Sequence, residues 1–528
     1  MPSPSAVPEP RASATFLRSD AGHAAALGVV GAIMITFGGF GSGAVRRHDP
    51  LLESMYLSWL RFGHGFVLST LIVWIGVLMM IAAWVRLGRN TRAGLVEVTE
   101  LRWVAAAWTA PLLAAVPMFS RDAYSYLAQG ALLRDGFDPY AVGPVVNPGL
   151  LLDNVSNVWT TTTAPYGPVS LLIGQGITSI TGDNVVAGTM LMRLAMLPGL
   201  VLMMWALPRL ARQLGGDPAT ALWLAVLNPL VLVHLVGGVH NELLMVGLMA
   251  AGLTLVLDRK HVAGIAVISL GVAVKAMAGV ALPFVVWIWM IHERERAESA
   301  GVAPGTGATA ENTRAASPLA LFVKTASAGA AVFVAVFAAC SAIAGVGLGW
   351  LTALQGSAKI VNWLSVPTIL AHIVTVSTSW FTGLRLGPVL EVTRAICALI
   401  MVVTLVAVWW RFRRTTKQAV LGILVALVVI VLFSPAALPW YYSWPLAIGA
   451  AFAMSTTTLM VLVGLSTWLM LVFNPDGSIG LYSLPHVLLA TFAAVVAARS
   501  LVTVDPLRVR TVRRPEVAAS APLAAASD

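Results

Sequence analysis

Asp122 is the residue whose type and position best suit proton transfer. It follows the apolar run at residues 103–118 and lies in the segment Phe-Ser-Arg-Asp-Ala-Tyr-Ser-Tyr at 119–126, so we expect it at a membrane–water boundary. Partial burial raises the pKa of a carboxylate and suits it to general-base work, whereas the neighbouring Arg121 acts to lower that pKa. The alternative is structural: Asp122 caps a helix or joins an interfacial ion pair.

Two cations, Arg193 and Lys275, lie inside apolar runs. A charge in such a run needs a partner that offsets its cost of insertion. Both are predicted in the outward third of their helices, where an anionic lipid head group is a suitable partner because cations bind phosphate well. The alternative is a structural ion pair with Glu242 or Asp122.

Two further clusters are expected at the same boundary. His240-Asn241-Glu242 opens a predicted helix, where Asn241 alone is an ordinary N-cap residue. The segment 434–445 contains Trp440 and Tyr441. Such aromatic residues usually anchor a protein at the membrane interface, yet their flat faces also stack on sugars and flank prenyl chains.

The composition shows which kind of structure must position these residues. Of 528 residues, 58% are hydrophobic and 11% are charged, and the mean hydropathy is +0.85. A soluble domain has about 25% charged residues. Since a span needs about 20 apolar residues, we predict an all-α polytopic membrane protein with about 14 spans, in a range of roughly 12 to 15. They lie near 27–45, 66–85, 103–118, 185–207, 219–237, 242–257, 262–278, 279–291, 319–346, 389–410, 418–434, 443–455, 457–473 and 485–502.

Basic residues in alternate connections predict the orientation. The net charge of +10 is attributed to membrane topology and not to nucleic-acid binding. The basic connections, expected in the cytoplasm with both termini, are 86–92, 209–212, 259–260, 294–314, 411–417 and 508–514. Outward-facing loops are then 46–65, 119–184, 347–388 and 435–442. To keep this alternation, the short apolar segments 168–181 and 366–383 are predicted to lie along the outer interface.

Three stretches flank or interrupt the membrane unit, which is predicted at 27–502. Residues 1–26 are expected to form a disordered cytoplasmic tail, 292–318 a flexible cytoplasmic linker with a short helix at its start, and 503–528 a basic cytoplasmic tail. The outer loop 119–184 is too long for a simple connection, and its aromatic and Leu residues predict order. Cys340 and Cys397 lie in apolar runs and are interpreted as packing residues.

Several long motifs resemble those of GT-C glycosyltransferases, membrane enzymes that use polyprenyl-phosphate sugars. Within this superfamily the chain is similar to the α-(1→6)-mannopyranosyltransferases of mycobacteria and corynebacteria, from about residue 28 to 502. The branch that elongates the mannan is favoured over the sister branch that starts it. The motifs are RRHDPLLES at 46–54, SWLRFGHG at 58–65, FSRDAYSYLAQGALLRDGFDPYAVGP at 119–144, TTAPYGP at 162–168, LNPLVLVHLVGGVHNE at 227–242, VGLGWLTAL at 346–354 and AALPWYYSWPLA at 436–447.

The resemblance implies an inverting transfer of mannose from polyprenyl-phosphate-mannose to a growing α-(1→6)-mannan on a glycolipid. The product is the backbone of lipomannan and lipoarabinomannan, made at the outer face of the plasma membrane. Asp122 is then the candidate base on the acceptor 6-hydroxyl. Asp49 is the runner-up, because many GT-C enzymes carry the catalytic Asp in the first outer loop, although Asp49-Pro50 is typical of a turn.

The resemblance also assigns the binding residues. Candidate ligands of the donor phosphate are Arg193, Lys275, Arg121 and His240. Candidate ligands of the sugar or the acceptor are Tyr124, Tyr126, Gln129, Tyr166, Asn241, Glu242, Trp440 and Tyr441.

No cofactor is expected. The sequence contains no P-loop, no dinucleotide-binding glycine motif, no zinc-spaced His and Cys residues and no serine nucleophile elbow. Asp122, Asp138 and Glu242 are conceivable ligands of one divalent ion, but we expect no metal. The rival hypothesis is a lipid-linked-sugar flippase or a secondary transporter, disfavoured because no inverted repeat is visible and the polar groups gather at one face.

Overall fold

The computed structural model describes residues 16–47, 49–301, 317–354 and 359–507, and these form helices joined by loops. The first half contains α1 (Asp20–Ser42), α2 (Pro50–Ser54), α3 (Gly63–Arg92), α4 (Val98–Leu112), α5 (Asp122–Arg134), α6 (Leu150–Asn154), α7 (Pro168–Thr181), α8 (Val185–Leu214), α9 (Pro218–Ala225) and α10 (Pro229–Gly237). The second half contains α11 (Glu242–Leu257), α12 (His261–Val274), α13 (Leu282–Gly301), α14 (Pro318–Ala344), α15 (Trp350–Ala353), α16 (Val366–Thr378), α17 (Leu386–Arg411), α18 (Thr416–Phe433), α19 (Ser443–Gly449), α20 (Thr456–Leu471) and α21 (Leu484–Ser500).

Seven of the described helices are long and apolar enough to cross a membrane, and the pair α9 and α10, bent by 46°, raises this number to eight. Five shorter apolar helices, α11, α12, α16, α20 and α21, accompany them. The predicted count of about 14 spans is therefore not confirmed. The prediction of a span at 443–455 is wrong, because α19 has 7 residues and is only about 10 Å long at 1.5 Å per residue.

Two helices show most directly that the bundle belongs in a membrane. The most apolar windows of α14 and α17 are only 17% buried. Their side chains include large exposed hydrophobic residues such as Val334 and Leu399. Water would not tolerate apolar faces of this length, whereas lipid tails solvate them and leave every backbone hydrogen bond inside the helix.

The tail prediction needs correction where the structure describes it. Helix α1 begins at Asp20, so residues 20–26 are helical, because Ser19 caps the helix and Asp20 pairs with Arg86 of α3. Helix α13 runs to Gly301, so the short helix expected at the start of the linker is present. The remainder of these predictions, at 1–15, 302–316 and 508–528, lies outside the described residues.

The predicted helices at 168–181 and 366–383 are present as α7 and α16. Both begin with a proline near their first position, which suits a helix start because that position needs no backbone N–H donor. Their placement along a membrane interface stays a prediction.

A pair of tryptophans fixes α3 against α9 in the core. The rings of Trp84 and Trp223 stack with 5.3 Å between their centroids. Each indole Nε1–H donates to the backbone carbonyl of the other residue, at 2.9 and 2.8 Å. Both indole donors are thus satisfied in a fully apolar environment, where an unpaired N–H is costly.

Helix α11, which begins at Glu242, is held against α8 by a close contact of two glycines. A Cβ on Gly199 would lie 2.0 Å from the carbonyl oxygen of Leu243, and a Cβ on Gly247 would lie 2.3 Å from that of Gly199. Small residues allow such close helix contacts in membranes. They bring the first turn of α11 deep into the bundle.

Candidate active site

Asp122 occupies the first position of α5, directly after a strained turn. Phe119 has φ 60, a left-handed conformation that is uncommon for a residue with a side chain. Its backbone N–H donates to the carbonyl of Pro475 at 2.7 Å, which holds the turn in place. The Asp122 N–H donates to Ser120 Oγ at 3.1 Å. The carboxylate therefore lies at a helix N-terminus, where the helix dipole favours negative charge.

A histidine lies between Asp122 and a second carboxylate. His240 Nδ1 is 3.5 Å from Asp122 Oδ2 and 3.9 Å from Glu242 Oε2. His240 and Glu242 are fully buried, while the Asp122 side chain keeps 15% of its surface exposed. Val239 precedes the histidine with φ 61, a strained conformation for a β-branched residue. A residue in the left-handed conformation thus precedes each partner of this contact: Phe119 lies three residues before Asp122, and Val239 lies directly before His240.

Lys275 completes the polar cluster. Its ammonium forms an ion pair with Glu242 and retains 13% side-chain exposure. Lys275 adopts an extended conformation, φ −151 and ψ 130, and separates α12 from the 3-10 turn Ala276–Ala281. The predicted continuous span at 262–278 is therefore interrupted. This break allows a lysine that follows a helix to point its side chain at Glu242.

Three aromatic rings lie close to the Lys275 ammonium. Nζ lies 4.9 Å from the ring centre of Tyr441, 5.6 Å from that of Tyr166 and 5.7 Å from that of Trp444. Cation–π attraction to these rings adds to the ion pair. The rings of Tyr441 and Trp444 stack on each other with 4.6 Å between their centroids, so each limits the movement of the other.

The Pro-Tyr-Gly-Pro segment reaches the cluster because Gly167 lies against α12. The Gly167 N–H donates to the carbonyl of Val274 at 3.2 Å. A Cβ at Gly167 would lie 2.3 Å from the carbonyl oxygen of Ala273, so no larger residue fits without displacement. Tyr166 is thereby brought edge-on to Tyr126 of α5, with 5.0 Å between ring centroids.

Trp440 packs against the ring of His240. Its ring stacks on His240 at 4.0 Å with an interplanar angle of 23°. His234 lies between Trp440, at 5.7 Å, and Phe119, at 5.0 Å. The sequence analysis did not single out His234, Phe119 or Trp444. Trp444 had a detectable signal, because it lies four residues after Trp440 in the same aromatic segment.

Several buried polar atoms near this cluster lack a hydrogen-bond partner within the described chain. They are Gln129 Oε1, Asn241 Oδ1, Glu242 Oε2 and Trp440 Nε1. Asn241 does not cap α11 through its side chain, because Nδ2 donates to Ser170 Oγ at 3.3 Å. Buried polar groups are normally paired, so this set is typical of a site that binds a polar ligand.

Burial sets the protonation states of Asp122 and His240, the two side chains in contact. Burial, the largest cause, and the charge of Glu242 together raise the pKa of Asp122 to about 6, while Lys275 opposes the increase. Burial lowers the pKa of the His240 imidazole well below its usual range, so it is neutral at pH 7. Asp122 is therefore mostly ionised at neutral pH and still basic enough to accept a proton.

Arg193 is placed differently from Lys275. Its guanidinium donates to the backbone carbonyls of Leu113, Ala115, Val236 and Gly237, at 2.6 to 3.2 Å. In the described residues neither Asp122 nor Glu242, the carboxylates considered as its structural partners, forms an ion pair with Arg193. Arg193 instead joins the end of α4 to the end of α10.

Arg121 and Tyr124 both point towards the segment that follows α1. Arg121 donates to the carbonyls of Asn154 and Val45, each at 3.0 Å. The Tyr124 hydroxyl donates to the carbonyl of Ala44 at 2.6 Å. Gln129, by contrast, shares the helix face of Asp122 and Tyr126 by its spacing.

Asp49, the alternative base, is bound to two arginines. Its Oδ2 lies 2.9 Å from Arg46 and 2.8 Å from Arg61, and its side chain is 1% exposed. Oδ1 accepts the N–H of Leu52 at 3.3 Å and caps α2. These contacts occupy both carboxylate oxygens of Asp49.

Asp138, considered above as a metal ligand, accepts the backbone N–H of Tyr140 at 2.9 Å. In the part of the chain that the structure describes, no three His, Cys, Asp or Glu side chains are placed to hold a metal ion. Metal independence stays a prediction.

Comparison with known proteins decides the family. Residues 25–291 match the family described as Alpha-(1->6)-mannopyranosyltransferase, N-terminal domain, and residues 367–503 match the MptB C-terminal domain. Alpha-(1->6)-mannopyranosyltransferase A of Mycobacterium tuberculosis is 54% identical over 484 residues, covering 91% of this chain and 90% of that protein. The chain belongs to the α-(1→6)-mannopyranosyltransferase family. The resemblance read from the motifs is thus confirmed.

Two α-(1→6)-mannopyranosyltransferases of Corynebacterium glutamicum are also similar to this chain. The A protein of Corynebacterium glutamicum is 38% identical over 474 residues, covering 88% of this chain and 95% of that protein. The B protein of the same organism is 32% identical over 465 residues, with coverages of 81% and 72%. The site draws on both matched segments, because Asp122, His240 and Lys275 lie in the first while Trp440 and Tyr441 lie in the second.

Proposed function

We propose that this chain is a mannosyltransferase that moves mannose from polyprenyl-phosphate-mannose onto a growing α-(1→6)-mannan. The acceptor is a mannan-bearing glycolipid, and the product is the backbone of lipomannan and lipoarabinomannan. The names of its relatives support transfer of mannose in α-(1→6) linkage. The lipid donor, the elongating role and the GT-C fold are part of the proposal.

One arrangement carries this proposal: Asp122 faces His240 at 3.5 Å while Lys275 pairs with the adjacent Glu242. A base and an ion pair thereby lie next to one neutral imidazole, since Nδ1 of His240 is close to both carboxylates. No Lys or Arg within the described residues forms an ion pair with Asp122. Its carboxylate is available for proton transfer, in contrast to the doubly paired Asp49.

The reaction needs one displacement, since a β-mannosyl phosphate gives an α-linked product. Asp122 accepts the proton of the acceptor 6-hydroxyl as that oxygen bonds to mannose C1. The bond from C1 to the phosphate oxygen breaks on the opposite face, and its electron pair leaves with the polyprenyl phosphate. General-base assistance of this kind contributes about 10² to 10⁴-fold.

Lys275 is the proposed ligand of the leaving phosphate. A fixed cation in a water-poor site stabilises negative charge that develops in the transition state. Glu242 orients the ammonium, and the rings of Tyr166 and Tyr441 limit its movement. We leave Arg193 out of the phosphate site, because carbonyl oxygens occupy its donors.

His240 and the aromatic residues shape the sugar pocket in this proposal. Neutral His240, stacked on Trp440, has one N–H, which on Nδ1 donates to Asp122 and orients its carboxylate. Tyr126, Tyr166 and Tyr441 supply flat faces to a pyranose, and the unpaired Gln129 and Asn241 oxygens suit its hydroxyl groups. Arg121 and Tyr124 hold α5 against Ala44 and Val45, just after α1, and support the site indirectly.

We place the site at the outer face of the plasma membrane and both termini in the cytoplasm. The positive-inside rule supports this orientation, because Arg92 ends α3 and Arg209 and Arg212 lie in the last turns of α8, whereas Asp122 follows α4 at the other end of the bundle. Labelling of single cysteines introduced at exposed positions near Phe137 and Arg92, with a membrane-impermeant thiol reagent on intact cells, tests it. Labelling near Arg92 alone would reverse the orientation.

The decisive experiment supplies membranes containing this chain with radiolabelled polyprenyl-phosphate-mannose and a short α-(1→6)-mannoside. We expect a longer labelled glycan that an α-(1→6)-mannosidase degrades. A flippase or transporter moves the donor without lengthening the glycan, so absence of extension by the inserted protein would overturn the proposal. Membranes from cells lacking the chain provide the background.

A further inference from the structure

A large groove separates the first helices from the last pair. It runs between α3 and α21, with Leu27 of α1 and Leu471 of α20 at its base, and its volume is about 790 Å³. Most of its lining is apolar, for example Ile81 and Ala493. Because the walls belong to apolar helices of a membrane protein, lipid and not water is the solvent at its opening.

The charged residues of the groove lie at one end. Arg86 and Arg89, in the last two turns of α3, are the cations among its lining residues. Asp20 pairs with Arg86, so the three groups carry one net positive charge. In the described chain Arg89 donates through Nη1 alone, to the carbonyl of Ser500 at 2.7 Å. Its other nitrogens remain available to an anion with a single negative charge.

Aromatic rings close the opposite end. Trp74 of α3 meets His486 of α21 with 5.9 Å between ring centroids. His486 Nε2 is engaged by the carbonyl of Leu471 at 2.6 Å. Among the described residues that line this end of the groove there is no Lys or Arg to bind a lipid phosphate. Trp74 also contacts Phe119 at 6.2 Å, and Phe119 is the strained residue that precedes Ser120 and Asp122.

The length of the groove matches one leaflet. From Trp74 to Arg89 the helix rises ~22 Å at 1.5 Å per residue. A bilayer is about 40–45 Å thick with its head groups, so one leaflet accounts for about half of that, ~20–22 Å. A lipid with its phosphate at Arg89 would thus end its chains near Trp74.

We propose that this groove binds an anionic glycerophospholipid of the leaflet that contains Arg86 and Arg89. The phosphodiester contacts Arg89, and the acyl chains fill the space between α3 and α21 up to Trp74. This site is separate from the proposed donor site, because the cation there, Lys275, belongs to a different cluster at the other end of the bundle. A bound lipid supports Trp74 against Phe119 and so stabilises the turn before Asp122.

Lipid add-back to purified, delipidated full-length protein tests the proposal. Phosphatidylglycerol and phosphatidylcholine with identical acyl chains are compared by thermal unfolding and by native mass spectrometry. We expect phosphatidylglycerol to be retained and to raise the unfolding temperature more than phosphatidylcholine. Equal retention and equal stabilisation by the two lipids would overturn the proposal, since only the head-group charge differs.

Two variants locate the site. Arg89→Gln is expected to weaken phosphatidylglycerol retention at least about tenfold, the loss that 1.4 kcal/mol of binding energy corresponds to. Arg209→Gln is the control, because that guanidinium lies over Trp205 and outside the groove. Ala82→Trp places a ring in the groove and should abolish retention without removing a charge. Wild-type retention by Arg89→Gln, or equal loss in Arg209→Gln, contradicts a site in this groove.

Discussion

Lys275 and Glu242 form an ion pair across 33 positions of sequence, although each also lies at a helix boundary. Glu242 opens α11, and Lys275 follows the last residue of α12 in an extended conformation. A buried carboxylate is tolerated when a cation is close, and a lysine in an apolar segment needs an anion. The two residues therefore depend on each other for folding, whatever further role each has.

This dependence separates stability from activity in a double variant. Lys275→Met leaves Glu242 buried and unpaired, which should lower the free energy of unfolding by about 3–5 kcal/mol. Adding Glu242→Gln removes the stranded charge and should restore most of the stability. Donor binding should not recover, because the phosphate has lost its cation. Unfolding curves in detergent and the donor KM measure the two effects.

The matched control is another Lys→Met change at an ion pair. Lys324 lies 3.6 Å from Glu293 and is 69% exposed. Exposed pairs contribute about 0–1 kcal/mol, so Lys324→Met should leave both stability and KM near the wild type. Recovery of donor affinity in the double variant would show that Lys275 acts only in folding.

Asp122 and Asp49 should respond oppositely to replacement by Asn. Asp122→Asn should reduce transfer by about 10² to 10⁴-fold with little change in stability, because it removes the proposed base and no arginine pair. Asp49→Asn should destabilise the protein, since Arg46 and Arg61 lose their shared carboxylate. The folded fraction of Asp49→Asn should keep much of its activity. Initial rates normalised to folded protein distinguish the two, and the reverse ranking would assign the base to Asp49.

The raised pKa of Asp122 predicts the acid limb of the pH profile. A base must be deprotonated, so kcat/KM should fall tenfold per pH unit below a midpoint near pH 6. The charge of Glu242 raises the pKa of Asp122, and Lys275 lowers it. Glu242→Gln should therefore move the midpoint to lower pH. A midpoint that stays fixed or moves upward in this variant contradicts the assigned contact.

Arg193 should prove structural. Arg193→Lys keeps the charge but loses the planar fork that reaches carbonyls on two segments. Hydrogen bonds to charged groups contribute about 1.5–3 kcal/mol each, so the loss of even one should lower the unfolding temperature visibly. The donor KM of the folded protein should stay within about twofold of the wild type. A large increase in KM at unchanged stability would return Arg193 to the phosphate site.

The contrast between Arg193 and Lys275 shows where sequence reasoning stopped. Both are single cations in apolar runs, so the pattern predicted a partner for each and the same partner type for both. The partners are set by tertiary contacts: carbonyls left free at the ends of α4 and α10 for Arg193, and the carboxylate of Glu242 for Lys275. The hydropathy pattern of a sequence does not predict which helix ends come into contact.

The helix bounds were likewise predicted from the sequence only in part. The start of α11 at Glu242 and the whole of α7 follow from polar and proline signals and were predicted closely. The seven-residue helix α19 and the break at Lys275 were not, because a sliding count of apolar residues cannot distinguish one long helix from two short ones. The short helix α19 and the break at Lys275 both lie beside the site. There the backbone must position the side chains of Trp440, Trp444 and Lys275 and not merely cross a membrane.

Gly167 should be the most sensitive non-polar position in the site. A methyl group there would lie 2.3 Å from the Ala273 carbonyl oxygen, so Gly167→Ala must push the loop away from α12. That shift moves Tyr166 off Lys275 and lengthens the Gly167–Val274 hydrogen bond. We expect transfer to fall at least tenfold, because a displacement of about 1 Å can cost 10²-fold in a positioned site.

Gly176→Ala, in the middle of α7 with open space around its Cβ, is the control for Gly167→Ala. It should keep full activity and gain about 0.5–1 kcal/mol of stability, since alanine favours a helix over glycine. Equal activity of the two variants would show that the Pro-Tyr-Gly-Pro loop does not position the catalytic cluster.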